Sequence, residues 1–318
     1  MSEPKTLQQA VIYFSNLDNC VEYLAAKRWP KGVACPVCGS DSVSAFNLKR
    51  RTWKCAKHHS KREFSVKVGT IFEDSAIGLD KWLTAVWMLT NCKNGISSYE
   101  GARDLGVTQK TAWFMMHRIR LALQDKTGGK LGGEVEADET YIGGLARNMH
   151  KDRRAKRISG TGGVDKVAVM GLLQRHGKKV RTAVLPDVQM ATLTGRVQQN
   201  VKPGSQVFTD AAGGYNGLDA DYIHGVIDHA ETYVKENVHT NGLENYWSLL
   251  KRGIRGTYVS VEPFHLFRYL DEQAFRFNNR QEFDDSDRFD LAISQIIGKR
   301  LTWNRLTGKS RDAQTAIN

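Results

Sequence analysis

Three acidic residues stand in settings where a carboxylate can do chemistry: Asp138 in EVEADETYIGG, Asp210 in VFTDAAGGY and Glu244 in HTNGLENYWSLLKRG. The first two close short apolar, strand-like runs, and the third lies in a helical pattern. Two divalent ions about 4 Å apart need several shared carboxylate oxygens, a donor set that suits Mg²⁺ or Mn²⁺. No single short loop supplies those oxygens easily. Asp138 is flanked by Val135, Ala137, Tyr141 and Ile142. A carboxylate in such a run must be paired, exposed or metal-bound, because burying it alone is very costly. Its neighbours Glu134, Glu136 and Glu139 read as solvent-facing. Asp210 precedes Ala-Ala-Gly-Gly, a strand-end position where ligands bind in α/β sheets. Lys251 falls seven residues after Glu244, so the two point the same way within about 20°. A carboxylate and a lysine on one helix face can hold a metal and the adjoining phosphate together. Leu243, Trp247 and Leu250 supply the apolar face behind them.

A second cluster has the spacing of a metal knuckle. Cys35-Pro-Val-Cys38 is followed, after sixteen residues, by Cys55-Ala-Lys-His58. Two such pairs can converge on one tetrahedral Zn²⁺, and four protein ligands make a closed, structural site. His58 completes the set at this spacing, with His59 beside it as the alternative. Further on, the run from Ser97 to Trp113 fits a helix-turn-helix. Ala102 stands at the expected crossing, Gly106 permits the turn and Thr108 caps the second helix. Gln109, Lys110 and Thr111 would open the recognition helix, followed by Arg118.

The elements that must position these residues alternate in the second half of the chain. Strands are predicted at Val135–Ile142, Val167–Leu173, Lys179–Leu185, Gln206–Thr209 and Asp221–Ile227. Helices are predicted over Thr192–Val201 and from about Gly242. Three strands, a helix, then strand and helix in alternation is the order of a ribonuclease-H-like α/β fold. The glycine-rich DKTGGKLGG marks a boundary before it. The expected organisation is multidomain: a helical segment over 1–30, a zinc ribbon over 31–72, a helix-turn-helix domain over 73–124, a catalytic domain over 125–305 and a loose tail over 306–318. Residues 149–163 form a basic, glycine-ended loop in which Arg153 and Arg154 could track a phosphate backbone.

Composition narrows the partner. The chain has 318 residues, 41% hydrophobic and 25% charged, with a net charge of +12. A basic chain of this size most often meets a polyanion, and nucleic acid is the commonest. No stretch approaches the roughly 20 apolar residues of a membrane span. The first ten residues, MSEPKTLQQA, lack a signal-peptide pattern. Five cysteines, three of them in the knuckle, are too few and too clustered for a disulfide framework. A reducing, cytoplasmic setting is expected.

The order Asp, Asp, Glu with a lysine seven positions on resembles the DDE transposase and integrase superfamily, as does the gap of thirty-three residues between Asp210 and Glu244. The strings CPVCGS, EADETYIGG, TDAAGGY and HTNGLENYWSLLKRGIRGTY together look like the ISXO-like insertion-sequence transposases. The resemblance spans about residues 20 to 305. It implies one structural Zn²⁺, two Mg²⁺ or Mn²⁺, double-stranded DNA as partner in the form of transposon ends and target, and a homodimer or larger assembly. Asp138 would bridge both metals, with Asp210 on one and Glu244 on the other. Lys251, Arg252 and Arg255 would grip phosphates, and Tyr246 or Trp247 could pack near a displaced base. The family is described with glutamate, asparagine or histidine at its third acidic position, and His239 and Asn241 lie in the same stretch as Glu244. Glu244 is preferred for its charge and its spacing to Lys251, with Asn241 as the alternative. A structure-specific nuclease of the same fold and a DNA-binding regulator derived from a transposase are the competing functions.

Overall fold

The structure, a computed structural model, describes residues 3–124, 128–143, 151–152, 166–210, 213–227 and 239–309. The chain divides into two compact units, one of Met1–Gln124 with Asn279–Asn318 and one of Asp125–Asn278. The first unit begins with α1 (Leu7–Phe14), α2 (Leu17–Arg28), β1 (Trp53–Lys54), β2 (Glu63–Phe64), α3 (Leu79–Asn91), α4 (Ser98–Leu105) and α5 (Gln109–Ala122). The second carries β3 (Glu134–Gly143), β4 (Lys166–Gln174), β5 (Lys179–Val184), α6 (Met190–Asn200), β6 (Gln206–Asp210), β7 (Ile223–Ile227), α7 (Asn241–Gly253) and α8 (Leu266–Asn278). The chain then returns to the first unit with α9 (Asp285–Ser294) and α10 (Trp303–Leu306).

The helical stretch read over residues 1–30 is two helices. Asn16 leaves the helical conformation, and its side chain accepts from the Asp18 amide at 2.9 Å, capping α2. Residues from Asn279 on, expected in the catalytic segment, group with the first unit because α9 carries Phe289 into its core. There the Phe289 ring meets Phe14 at 5.7 Å, Tyr23 at 5.8 Å and Trp87 at 5.0 Å.

Helices α4 and α5 join through Gly106, whose φ of 59° and ψ of 48° are left-handed values that glycine takes most easily. The Thr108 hydroxyl accepts from the Thr111 amide at 3.2 Å and caps α5. The small residue at the crossing is Gly101, not Ala102. A Cβ on Gly101 would stand 2.3 Å from the Met116 Cε, whereas Ala102 is only half-buried.

In the second unit a five-stranded mixed sheet has the order β5-β4-β3-β6-β7. β4 pairs antiparallel with both β3 and β5, while β6 pairs in parallel with both β3 and β7. Successive side chains of β3 alternate between two cores. Val135 and Ala137 pack with Leu193 and Val197 of α6. On the opposite face Leu243, Tyr246, Trp247 and Leu250 form the apolar stripe of α7, with Leu266 and Leu270 of α8 beside them. The sheet is therefore covered by helices on both faces, and β3 is its central strand.

Candidate active site and zinc knuckle

Asp138 and Asp210 lie on neighbouring parallel strands. The register pairs Glu136 with Phe208, and both acids stand two residues further along, at the carboxyl end of β6. Asp138 is half-buried, and its Oδ2 accepts the indole N–H of Trp247 at 2.8 Å. Burial pushes the Asp138 carboxyl up, and the charges of Asp210 and Glu244 push it the same way against the Trp247 hydrogen bond. Those charges register only because both acids are near, so the three carboxylates share one electrostatic field. They do not close on one point. Among the described residues, the only group with three or more potential ligand atoms within 4.8 Å of one another lies elsewhere, in the cysteine knuckle. All three carboxylates offer oxygen donors, the kind that hard divalent cations such as Mg²⁺ or Mn²⁺ take.

Helix α7 presents Glu244, Trp247 and Lys251 within an arc of about 60° at 100° per residue. Trp247 marks the direction of Asp138 on that arc. The amine of Lys251 is lowered by burial and by Arg255 and Lys166, and Asp138 opposes that shift. Glu244 itself is exposed. Asn241 is also exposed, but it is the first residue of α7 and lies about 120° around the helix from Trp247. His239 is bound elsewhere, since Arg175 donates to both its Nδ1 and its carbonyl oxygen.

Other expectations need correction. Trp247 and Tyr246 are 5% and 0% exposed and pack under α7, so neither ring can stack on a displaced base. Glu136 and Glu139 do not face solvent. Glu136 is 1% exposed and takes the Arg175 Nε at 2.9 Å. Glu139, half-buried on the opposite face, accepts the Tyr215 hydroxyl. Burial raises the Glu139 carboxyl to about 7, with the charges of Asp138 and Asp210 adding to it. The sequence pattern held no sign of these partners, which come from distant turns.

On the sheet side, the close approach of α7 needs a glycine in β4. Gly171 of β4 pairs with Asp138, and a Cβ there would lie 2.6 Å from the Trp247 ring and 2.8 Å from Leu243 Cδ2. Gly171→Ala should therefore drive the indole off Asp138 and cost about 1–3 kcal/mol by overpacking. Urea denaturation checks this, and unchanged stability would mean that α7 shifts freely.

The knuckle brings together the Sγ atoms of Cys35, Cys38 and Cys55 and a ring nitrogen of His59, all within 4.8 Å of one another. The fourth member is His59, not the expected His58. The Cys55 amide bonds to the Arg62 carbonyl at 2.9 Å, closing a hairpin loop that turns His59 inward and leaves His58 exposed. Cys38 Sγ stands 3.6 Å from Cys55 Sγ, and Cys35 Sγ 3.4 Å from His59 Nε2. The edge of a tetrahedral zinc–thiolate site is about 3.8 Å, so the four donors fit Zn²⁺.

On α5, Lys110 is exposed with its ammonium 4.6 Å over the Trp303 ring of α10. Gln109 and Thr111 are half-buried at the start of the helix, and Gln109 donates to Ser98 Oγ at 2.8 Å. Arg118 does not reach outward. It is 4% exposed, bonds the Glu73 carbonyl and lies against the Trp82 and Phe114 rings. Its position falls on the buried side of α5, and burial lowers its guanidinium to about 10. Arg252 and Arg255 are exposed at the end of α7 and in the π-helical turn Ile254–Tyr258 that follows it. Arg153 and Arg154 lie outside the described residues. Among the described residues no helix is long and apolar enough to cross a membrane.

Comparison with known proteins gives concordant matches. A family model described as an ISXO2-like transposase domain matches residues 130–278, and one described as a transposase zinc-ribbon domain matches residues 16–59. A protein of Halobacterium salinarum, "Uncharacterized protein in transposable element ISH50", is 30% identical over 243 residues, which is 72% of this chain and 80% of that one. An "Uncharacterized transposase-like protein" of Haemophilus influenzae is 36% identical over 104 residues, 32% of this chain and 84% of that one. A solved chain from a simian T-cell lymphotropic virus intasome complex aligns over 58% of this chain and 66% of that one at 10% identity and a TM-score of 0.28, too distant to bear on the fold.

Proposed function

The chain belongs to the ISXO2-like transposase family of insertion elements, and we propose that it binds the terminal inverted repeats of its element, cuts there and joins the freed ends to target DNA. The observation that carries this reading is geometric: Asp138 and Asp210 stand level on neighbouring parallel strands, and Trp247 ties Asp138 to the helix that bears Glu244 and Lys251 on the same face. Asp138, Asp210 and Glu244 would hold two Mg²⁺ or Mn²⁺. When bound, the ions supply activation of water or a 3′-hydroxyl and neutralise charge on the entering and leaving oxygens of an in-line displacement. Trp247 fixes the rotamer of Asp138, so the carboxylate is oriented before DNA arrives. Lys251, Arg252 and Arg255 offer a row of positive charge to the backbone of the bound strand. In the first unit, exposed Lys110, with half-buried Gln109 and Thr111 beside it at the start of α5, would be the side chains offered to an inverted repeat. An assembly that holds two ends together, a homodimer or larger, follows from the joining step.

The test is cleavage and joining of a labelled inverted-repeat end by the purified chain in Mg²⁺ or Mn²⁺. Site-specific nicking at the end, followed by its transfer to target DNA, is expected. Equal cutting of scrambled ends would instead make the chain a structure-specific nuclease, and tight end binding without cutting a regulator. In the same assay Glu244→Gln should lower cleavage by about 100-fold or more, and Asn241→Ala by less than about fivefold. The reverse order would move the third ligand to Asn241.

A further inference from the structure

Two glutamates flank Asp138 on β3, and each holds an element that leads to one of the other two acids. Glu136 Oε2 accepts the Leu243 amide at 2.9 Å, while its Oε1 takes Arg175. Leu243 is the third residue of α7, and the helix's own cap residue, Thr240, makes no side-chain capping bond. The sheet thus caps the helix. A carboxylate from β3 does what Ser, Asp or Asn usually does from within the chain, and its charge meets the positive end of the helix dipole. Gly242 admits this contact, since a Cβ there would lie 2.8 Å and 3.1 Å from the two Glu136 oxygens and 2.4 Å from Leu173 Cδ2.

One turn further along α7, Trp247 reaches Asp138. Leu243 to Trp247 spans about 6 Å of helix, and Glu136 to Asp138 about 6.6 Å of strand. The helix is therefore fastened to β3 at two matched points, and Glu244 lies between them. Arg175 reinforces the first point by binding Glu136 and His239, and its guanidinium lies 4.0 Å over the Phe208 ring, two residues before Asp210. On the other face of β3, Glu139 takes the hydroxyl of Tyr215. Tyr215 is 1% exposed and closes the short helical turn Gly213–Tyr215, five residues after Asp210.

We propose that Glu136 and Glu139 are positioning residues: through Glu136 the strand bearing Asp138 sets the start of the helix that presents Glu244, and through Glu139 it anchors the turn that follows Asp210. The spacing of all three carboxylates is then dictated from one strand. This rests on the reading of Asp138, Asp210 and Glu244 as one cation site. A buried carboxylate paired with arginine is seldom more stabilising than a well-packed apolar residue, so its value here lies in fixing geometry.

The experiment measures Mn²⁺ binding to the full chain by electron paramagnetic resonance, together with the metal concentration for half-maximal end cleavage. The variants are Tyr215→Phe, Glu139→Gln, Glu136→Ala and Gly242→Ala, with Asp138→Asn as the control for the site itself. Tyr215→Phe, Glu136→Ala and Gly242→Ala should each weaken Mn²⁺ binding about tenfold, the scale of groups that orient metal ligands, with end affinity and zinc content unchanged. Glu139→Gln still accepts the tyrosine hydroxyl and should stay within about threefold of the parent. Loss of Mn²⁺ binding in Asp138→Asn with parental binding in Tyr215→Phe and Gly242→Ala overturns the proposal and leaves the cation site standing. Parental Mn²⁺ binding in Asp138→Asn overturns the site and the proposal with it. Tyr215→Phe removes one hydroxyl, so it remains informative where Glu136→Ala unfolds.

Discussion

Asp138→Asn should abolish end cleavage, by about 1,000-fold or more, while affinity for the inverted-repeat end stays within about twofold. The substitution is nearly isosteric, and the amide oxygen of Asn can still accept the Trp247 indole N–H that Asp138 now takes at 2.8 Å. What it removes is the central charge of the acidic field. Asp138 stands between Asp210, on the adjoining strand, and Glu244, on the covering helix, and it is the residue whose carboxyl feels both. Losing it leaves the other two without the donor they would share. The fold should not suffer. Burial and like charges push the Asp138 carboxyl up, so keeping it ionised costs the folded chain more than the unfolded one and its charge adds no stability to the metal-free fold. The metal-free variant should melt no lower than the parent. Cleavage on a labelled end, gel-shift titration and a thermal melt check the three parts. Equal loss of cleavage and of DNA binding would make Asp138 a structural residue.

The sequence showed the acids more readily than it showed what surrounds them. Asp210 ends an apolar run and closes β6, a local signal, whereas Asp138 is the fifth of ten residues in β3, which runs on to Gly143. Their parallel pairing is not local, and neither run announces the other. The burial of Glu136 is hidden from the sequence for the same reason. Glu134, Glu136 and Asp138 alternate with Val135 and Ala137, which is how a strand with one wet face looks. That face is covered by α7, and Glu136 tolerates burial only because Arg175, at the end of β4, and the Leu243 amide reach it. Arg118 shows the converse. In QKTAWFMMHRIRLA a basic residue reads as outward, yet the helical period puts position 118 on the buried side, where a carbonyl and two rings receive its guanidinium. The choice between His58 and His59 lay below the resolution of spacing, because the hairpin closed at Cys55 and Arg62 decides which ring turns in.

Cys35→Ser combined with Cys55→Ser should reduce zinc from one ion per chain to none and loosen the whole segment around it. The knuckle has little else to hold it. Its strands β1 and β2 are two residues each, and a two-stranded hairpin alone is at best marginal in water. A small aromatic cluster helps: Trp53 meets Phe46 at 4.7 Å and Trp29 at 5.5 Å, and Phe64 lies against Trp53 at 6.1 Å. Ordering so much irregular backbone is costly. Zinc binding in small knuckle domains supplies roughly 10 kcal/mol or more, so it is the term that can balance that cost. Removing two thiolates takes away half of the donor set, and the remaining Cys38 and His59 cannot hold the ion against water. His59→Ala should weaken zinc binding less severely, and His58→Ala should leave it intact, since that ring is exposed. Elemental analysis gives the zinc content, and limited proteolysis within residues 31–72 reports the loosening. Full zinc in the double variant, or equal loss in His58→Ala and His59→Ala, would overturn the assignment of these four ligands.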